Sequence, residues 1–233
     1  MTPADLELRS AEEVLAWTYQ THRRVALVCS FQAESSVLID MASRITAAPE
    51  VLTLDTGRLP EETHRVMDEF RQRYPIRLRV LSPEATEVEA MTAAHGTMLF
   101  RQSVEFRVLC CEMRKVRPLA RALRDYDAWI TGVRREQTVT RETTPVAAAD
   151  AEHGGITKVA PLVAWSRADV WEYIGRYELP RHPLYARGFT SIGCAPCTRA
   201  TRPGEGERDG RWWWETGDVK ECGLHVSPVE EVA

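Results

Sequence analysis

Six cysteines stand at positions 29, 110, 111, 194, 197 and 222 of the 233-residue chain. Cys110-Cys111 and Cys194-Ala195-Pro196-Cys197 combine a vicinal pair with a C-x-x-C. Four thiolates are the complement that an iron-sulfur cluster or a structural zinc requires, and softness alone does not choose between those metals. Two buried, inert thiols beside a redox-active C-x-x-C are the plainer alternative. Neighbouring residues on a helix point about 100° apart, so both vicinal cysteines reach one centre only near a helix end or a distortion. Cys222 lies in Lys220-Glu221-Cys222-Gly223-Leu224-His225, where basic neighbours can stabilise a thiolate, as a nucleophile needs; an ordinary free thiol fits the spacing equally well. Cys29, inside an apolar run, reads as core.

The elements that must position these groups alternate. Val25 to Ser30 predicts a buried strand, followed by a tight loop and a helix over Ser35 to Ile45. Val51 to Leu54 predicts a second strand ending in Asp55-Thr56-Gly57, then a helix from about Pro60 to Tyr74 and a strand over Ile76 to Leu81. After a less legible stretch, Glu105 to Arg124 has helical spacing that Pro118 kinks or restarts, and Ala128 to Thr131 predicts another strand. Arg134 to Pro145 is a charged loop at a strand end, and Ser166 caps a helix reaching Tyr177. This order predicts an α/β fold with a parallel sheet flanked by helices. From Pro180 onward periodicity fades, and the irregular stretch with Trp212-Trp213-Trp214 and three cysteines reads as functional.

Apolar residues at 44% and charged residues at 27% are ordinary for a folded globular chain. No apolar run approaches the roughly 18 residues of a membrane span, and MTPADLELRS lacks a secretory pattern, so a cytoplasmic protein with no membrane partner is expected. A net charge of -4 argues against nucleic-acid binding. The local surplus over Arg101 to Arg141, ten Lys/Arg against five Asp/Glu, suits a small anion.

SIGCAPCTR, GRWWWE and KECGLH, in that order behind a CC pair, resemble the assimilatory adenylyl-sulfate reductases, the cluster-containing branch of the sulfonucleotide reductase family. The likeness runs from about Leu27 to His225 through SFQAES, LDTGRLPEET, GVRREQ and DVWEYI. It implies an adenine-nucleotide α-hydrolase-like fold in which Ser30 to Ser36 form a modified pyrophosphate loop, with Ser30, Phe31, Glu34 and Ser35 as substrate contacts. It implies one 4Fe-4S cluster on Cys110, Cys111, Cys194 and Cys197, and Cys222 as nucleophile. Leu54, Asp55 and Gly57 fall where the family contacts the nucleotide. Lys115, Arg134, Arg208 and Arg211, with His225, complete the implied substrate set; Arg135 and Arg141 are weaker candidates. Ser35 replaces a usual acidic residue and Gln32 a small one, which moves the expected contacts there from side chain to backbone. His182 stands where Asn is common.

The implied reaction reduces adenosine 5′-phosphosulfate to sulfite and AMP through an S-sulfocysteine, with thioredoxin or glutaredoxin as reductant, in sulfate assimilation and cysteine biosynthesis. Residues 1–198 would form the sulfonucleotide-binding domain with its cluster, and 199–233 a mobile catalytic tail. Oligomeric state stays open, a homo-oligomer being admitted. The rivals are a 3′-phosphoadenosine 5′-phosphosulfate reductase, a pyrophosphatase-loop tRNA thiolation enzyme and a non-catalytic redox sensor that binds a nucleotide.

Overall fold

The computed structural model describes residues 3–216, 221 and 223. Its sheet has six strands: β1 (Val25–Val28), β2 (Glu50–Leu54), β3 (Arg77–Leu81), β4 (Ala128–Thr131), β5 (Ala147–Asp150) and β6 (Ile156–Val159). The spatial order is β3-β2-β1-β4-β6-β5, parallel throughout except for β5, which runs antiparallel to β6 at the edge. Chain order leaves β1 toward β2 and β3, then returns to β4 on the other side. That reversal opens a crevice beyond the strand ends of β1 and β4, the place where such sheets bind ligands.

Period-two alternation covers both faces of the sheet. Val25 and Leu27 of β1, with Ala128 and Ile130 of β4, pack into a core shared with α2 (Ala11–Thr21), α3 (Ala33–Ile45), α4 (Glu61–Arg73) and α8 (Arg167–Arg176). Ala26 and Trp129, which point the other way, meet Leu119, Ala122 and Leu123 of α7 (Arg117–Leu123). α3 begins two residues earlier than the expected Ser35 start, because Gln32 and not a serine occupies the N-cap. Five further elements lie in stretches the sequence left unassigned: α1 (Pro3–Leu6), α2, α5 (Ala85–His95), β5 and β6.

The expected Glu105–Arg124 helix is broken into three. α6 (Val104–Cys111) stops at the vicinal cysteines, a π-helical turn spans Glu112–Val116, and α7 follows with Pro118 in its first turn. Pro118 has no N–H to donate and its ring crowds the carbonyl four residues back, so the α-helical ladder cannot run through Arg114. The wider turn absorbs that defect immediately after Cys110 and Cys111, a distortion of the kind expected if both side chains are to reach one centre.

Candidate active site

Cys110, Cys111, Cys194 and Cys197 are all buried and share one apolar cluster with Met91, Leu99, Phe100 and Trp212. Each pair reaches the cluster by a different device. α6 delivers the first pair at its C-terminal end, and a short 3-10 turn, Ala195–Cys197, delivers the second. Ala195 N–H donates to the Arg58 carbonyl (2.8 Å), which ties that turn to the loop after β2. The four sulfurs surround a small cavity whose remaining wall includes Arg58, Arg107, Arg114 and Lys115. Thr56 Oγ1 lies 3.2 Å from Cys194 Sγ, and Arg114 Nη1 donates to the Thr56 carbonyl at 2.7 Å.

Four thiolates form a donor set that an iron-sulfur cluster or a structural zinc uses. A zinc ion holds tetrahedral sulfurs at about 2.3 Å and hence about 3.8 Å from one another. Among the described residues no three of these sulfurs lie within 4.8 Å of one another. The four sulfurs are thus not drawn into a zinc-like tetrahedron, and their kind and number also match the ligand set of an iron-sulfur cluster. Burial pushes the thiol of Cys197 up to about 11 and raises that of Cys110, where Arg58 and Arg114 work in the opposite direction. Buried thiolates here need a cationic partner, which a bound metal centre supplies.

Beside this set lies the larger cavity, about 180 Å³, at the switch between β1 and β4. Val28, Thr53, Leu54, Thr131 and Gly132 from the strand ends form its floor. Ser30, Glu34, Ser35, Leu54, Lys115, Arg208 and Arg211 of the expected substrate set all line it, and so does Arg141. Lys115 faces both cavities, so one cation of the π-turn stands between the cysteines and the crevice.

Phe31, Asp55, Gly57 and Arg134 are not part of that lining. Phe31 adopts φ 55°, buries its ring and packs on Phe70, which folds the loop back toward the core. Asp55 accepts from Gly57 N–H at 2.9 Å and from His64, an Asx-type turn that closes the end of β2. Arg134 is 1% exposed and spends its guanidinium on Glu34 (2.8 Å), Glu136 (3.0 Å) and Glu207 (3.0 and 3.1 Å). It welds the first loop to the tail. His225 and Cys222 lie outside the described residues, as does Lys220.

The first loop is braced by side chains. Ser30 N–H donates to Ser35 Oγ (3.0 Å) and Ala33 N–H to the Tyr185 hydroxyl (2.9 Å), so these two amides already have acceptors. Gln32 Oε1 accepts from Ile192 N–H at 2.6 Å and thereby clamps the loop to the segment just before Cys194. Residues 199–216 pack over the cavity: a bridge joins Thr198 to Arg211, Arg199 grips Glu205 (both 2.7 Å), and Trp212 is 1% exposed between the guanidinium groups of Arg107 and Arg211. Gly193 makes room for Arg211, since a Cβ there would stand 2.3 Å from Nη2.

Sequence reasoning passed over Thr56, Arg107, Arg114 and Glu221. Residues 107, 110, 111 and 114 share one helical face, a signal that was available before folding. Glu221 carried none. It is buried, lines the larger cavity and pairs with Arg141 and Arg208.

Residues 24–200 match the family model of the phosphoadenosine phosphosulfate reductase domain. An adenosine 5′-phosphosulfate reductase of Burkholderia cepacia is 44% identical over 221 residues, which cover 95% of this chain and 88% of the relative. One of Neisseria meningitidis serogroup B is 43% identical over 206 residues, 88% of this chain and 83% of its own. Among solved structures, a phosphoadenylyl-sulfate reductase of Candida auris in a phosphate complex superposes with a TM-score of 0.72 at 28% identity, covering 84% of this chain and 94% of its own. Yeast FAD synthetase in complex with FAD, at 15% identity and a TM-score of 0.54 over 76% of this chain and 57% of its own, shares the fold alone.

Proposed function

The chain belongs to the phosphoadenosine phosphosulfate reductase domain family, and from that membership we propose that it reduces adenosine 5′-phosphosulfate to sulfite and AMP. The observation that carries this reading is the set of four buried, converging cysteines set against a cation-lined crevice at the sheet's switch point. Sulfonucleotide reductases acting on the 3′-phosphorylated substrate generally lack those four, so their presence favours the unphosphorylated nucleotide. Cys110, Cys111, Cys194 and Cys197 would hold a 4Fe-4S cluster, whose contribution when bound is charge that organises the basic wall around Lys115.

The adenosine lies in the crevice beyond β1, β2 and β4, and the phosphosulfate faces Lys115, Arg208 and Arg211. Among the described residues, the buried Nε of Arg211 has no hydrogen-bond partner and Nη1 makes long contacts, 3.4 Å each, to Ser191 Oγ and the Ile192 carbonyl. Such a donor gains most from a charged acceptor. The Cys222 thiolate attacks the substrate sulfur, the bond from sulfur to the bridging phosphate oxygen breaks, and AMP leaves with that electron pair. Cations at the phosphate stabilise the leaving group as its charge grows. One thiolate of a dithiol protein, thioredoxin or glutaredoxin, then attacks Cys222 Sγ and sulfite departs. The second thiol resolves the mixed disulfide, so the dithiol supplies both electrons and Cys222 is restored. Tail residues from 199 onward carry the nucleophile, and the reaction belongs to sulfate assimilation in the cytoplasm. Among the described residues no helix is long and apolar enough to cross a membrane.

Anaerobically purified enzyme should release sulfite from adenosine 5′-phosphosulfate when a dithiol protein is present. Without reductant, substrate should add one sulfonate to Cys222, and Cys222→Ser should bind AMP yet take no sulfonate. Sulfite from the 3′-phosphorylated nucleotide alone, or an adduct on another cysteine, would overturn the assignment.

A further inference from the structure

Glu221 is a carboxylate buried in a crevice built for an anion, and its surroundings explain why it is there. Arg141 grips it as a fork, Nε to Oε1 at 3.0 Å and Nη2 to Oε2 at 2.9 Å, and Arg208 Nη2 reaches Oε2 at 3.1 Å. Thr140 Oγ1 lies 3.5 Å from Oε1. The backbone carbonyl of the same residue accepts from Arg107 Nη1, whose Nε is paired with Glu215 at 2.8 Å. Three separate parts of the fold therefore hold one residue: the loop after β4 through Arg141, the tail through Arg208, and the cysteine-bearing α6 through Arg107.

Arg141 has little left for a substrate. Its Nη1 donates to Gln137 Oε1 at 2.5 Å, so all three nitrogens are engaged by protein acceptors. Although it lines the crevice, its influence on the chemistry must pass through Glu221. Two residues further on, Gly223 approaches the π-turn, where a Cβ would meet Val116 Cγ2 at 3.5 Å. Glu221 is thus held on the crevice wall, and Gly223, on the other side of position 222, lies near Val116, the neighbour of Lys115.

A buried ion pair seldom adds net stability, because desolvation offsets most of the attraction. A carboxylate in this crevice also repels a dianionic substrate. Its benefit is geometric: a fork with two charge-assisted hydrogen bonds fixes the chain in orientation as well as position. We propose that Glu221, held by Arg141, is a positioning residue that sets the approach of the adjacent nucleophile to the substrate sulfur. This rests on the reading of Cys222 as that nucleophile. A displacement of about 1 Å in a reacting group can cost on the order of 100-fold in rate.

The test is single-turnover sulfonation of Cys222 by saturating adenosine 5′-phosphosulfate without reductant, followed by mass spectrometry, together with AMP affinity and cluster absorbance. Glu221→Gln keeps the shape and removes the charge; Arg141→Lys keeps the charge and removes the fork. Each should slow sulfonation by about tenfold or more while AMP affinity changes less than about threefold, and the double variant should be no slower than the slower single, because both changes break one contact. Sulfonation at the wild-type rate in a variant that retains its absorbance overturns the proposal, even if its melting temperature falls. Tenfold tighter AMP binding at an unchanged rate overturns it as well, making Glu221 a competitor of the substrate. If Glu221→Gln loses the cluster, Arg141→Lys decides alone. Failure of the underlying reading is distinct, for then wild type itself takes no sulfonate on Cys222.

Discussion

Acidification should loosen the segment that holds the first loop, through His182. The imidazole is 1% exposed; Leu184 N–H donates to its Nδ1 at 3.3 Å, so the ring proton resides on Nε2 and is directed at Thr63 Oγ1, 3.0 Å away. A second proton would have to enter at Nδ1, against the Leu184 N–H. Burial pushes the group down from 6.5 to about 4, and Glu62 on α4, the charged group facing it, only partly offsets this. The folded state therefore resists a proton that the unfolded chain accepts, so the residue's contribution is complete above pH 6.5 and is lost as pH falls toward 4. At pH 5 the unfolded state gains by a factor of about 30, or about 2 kcal/mol of stability lost relative to pH 7.5.

His182→Asn removes the titration and keeps an acceptor for Leu184 N–H, Asn being a favoured N-cap. Urea midpoints of wild type and variant, measured at pH 7.5 and pH 5, should show wild type losing about 2 kcal/mol more than the variant, with m-values unchanged. Other carboxylates titrate in both proteins and cancel in the difference. A stability difference that stays flat across this range, or an imidazole that titrates near 6.5 by NMR in the folded protein, would refute the argument. The consequence reaches the crevice, because the turn begun by His182 carries Tyr185, the acceptor for Ala33 N–H.

Replacing any one of Cys110, Cys111, Cys194 or Cys197 by Ser should lose the iron, near four per chain in wild type, and most of the activity, since hydroxyls are poor ligands for such iron; one tight zinc and no iron in wild type would sink the cluster reading. Gly193→Ala should displace the Arg211 guanidinium and weaken adenosine 5′-phosphosulfate binding about tenfold, the scale of one charged hydrogen bond; an unchanged dissociation constant by calorimetry would remove Arg211 from the phosphosulfate. Hydrogen exchange over residues 199–216 should slow when AMP binds and rise again after sulfonation, because the tail must admit a second protein. Equal protection in free, bound and sulfonated enzyme would mean that the reductant reaches Cys222 without the tail opening.

The parts legible before folding were those encoded by local periodicity. β1 through β4 and helices α3, α4 and α8 follow from apolar runs and spacing, and the cysteine motifs marked out the four residues that the fold brings together, because ligand-type residues come as short, recognisable words. β5 was invisible because Ala147-Ala148-Ala149 has no strand preference of its own and is a strand only through pairing with β6. Nothing in the sequence says that Arg107, Arg134 and Arg141 are buried against carboxylates, yet each meets one that lies from 80 to 108 positions away, Glu215, Glu34 and Glu221 respectively. Spacing along the chain decides what one element can present on one face. Which charge is desolvated, and which acid neutralises it, depends on segments brought together from opposite ends of the chain, and only the tertiary structure sets that pairing.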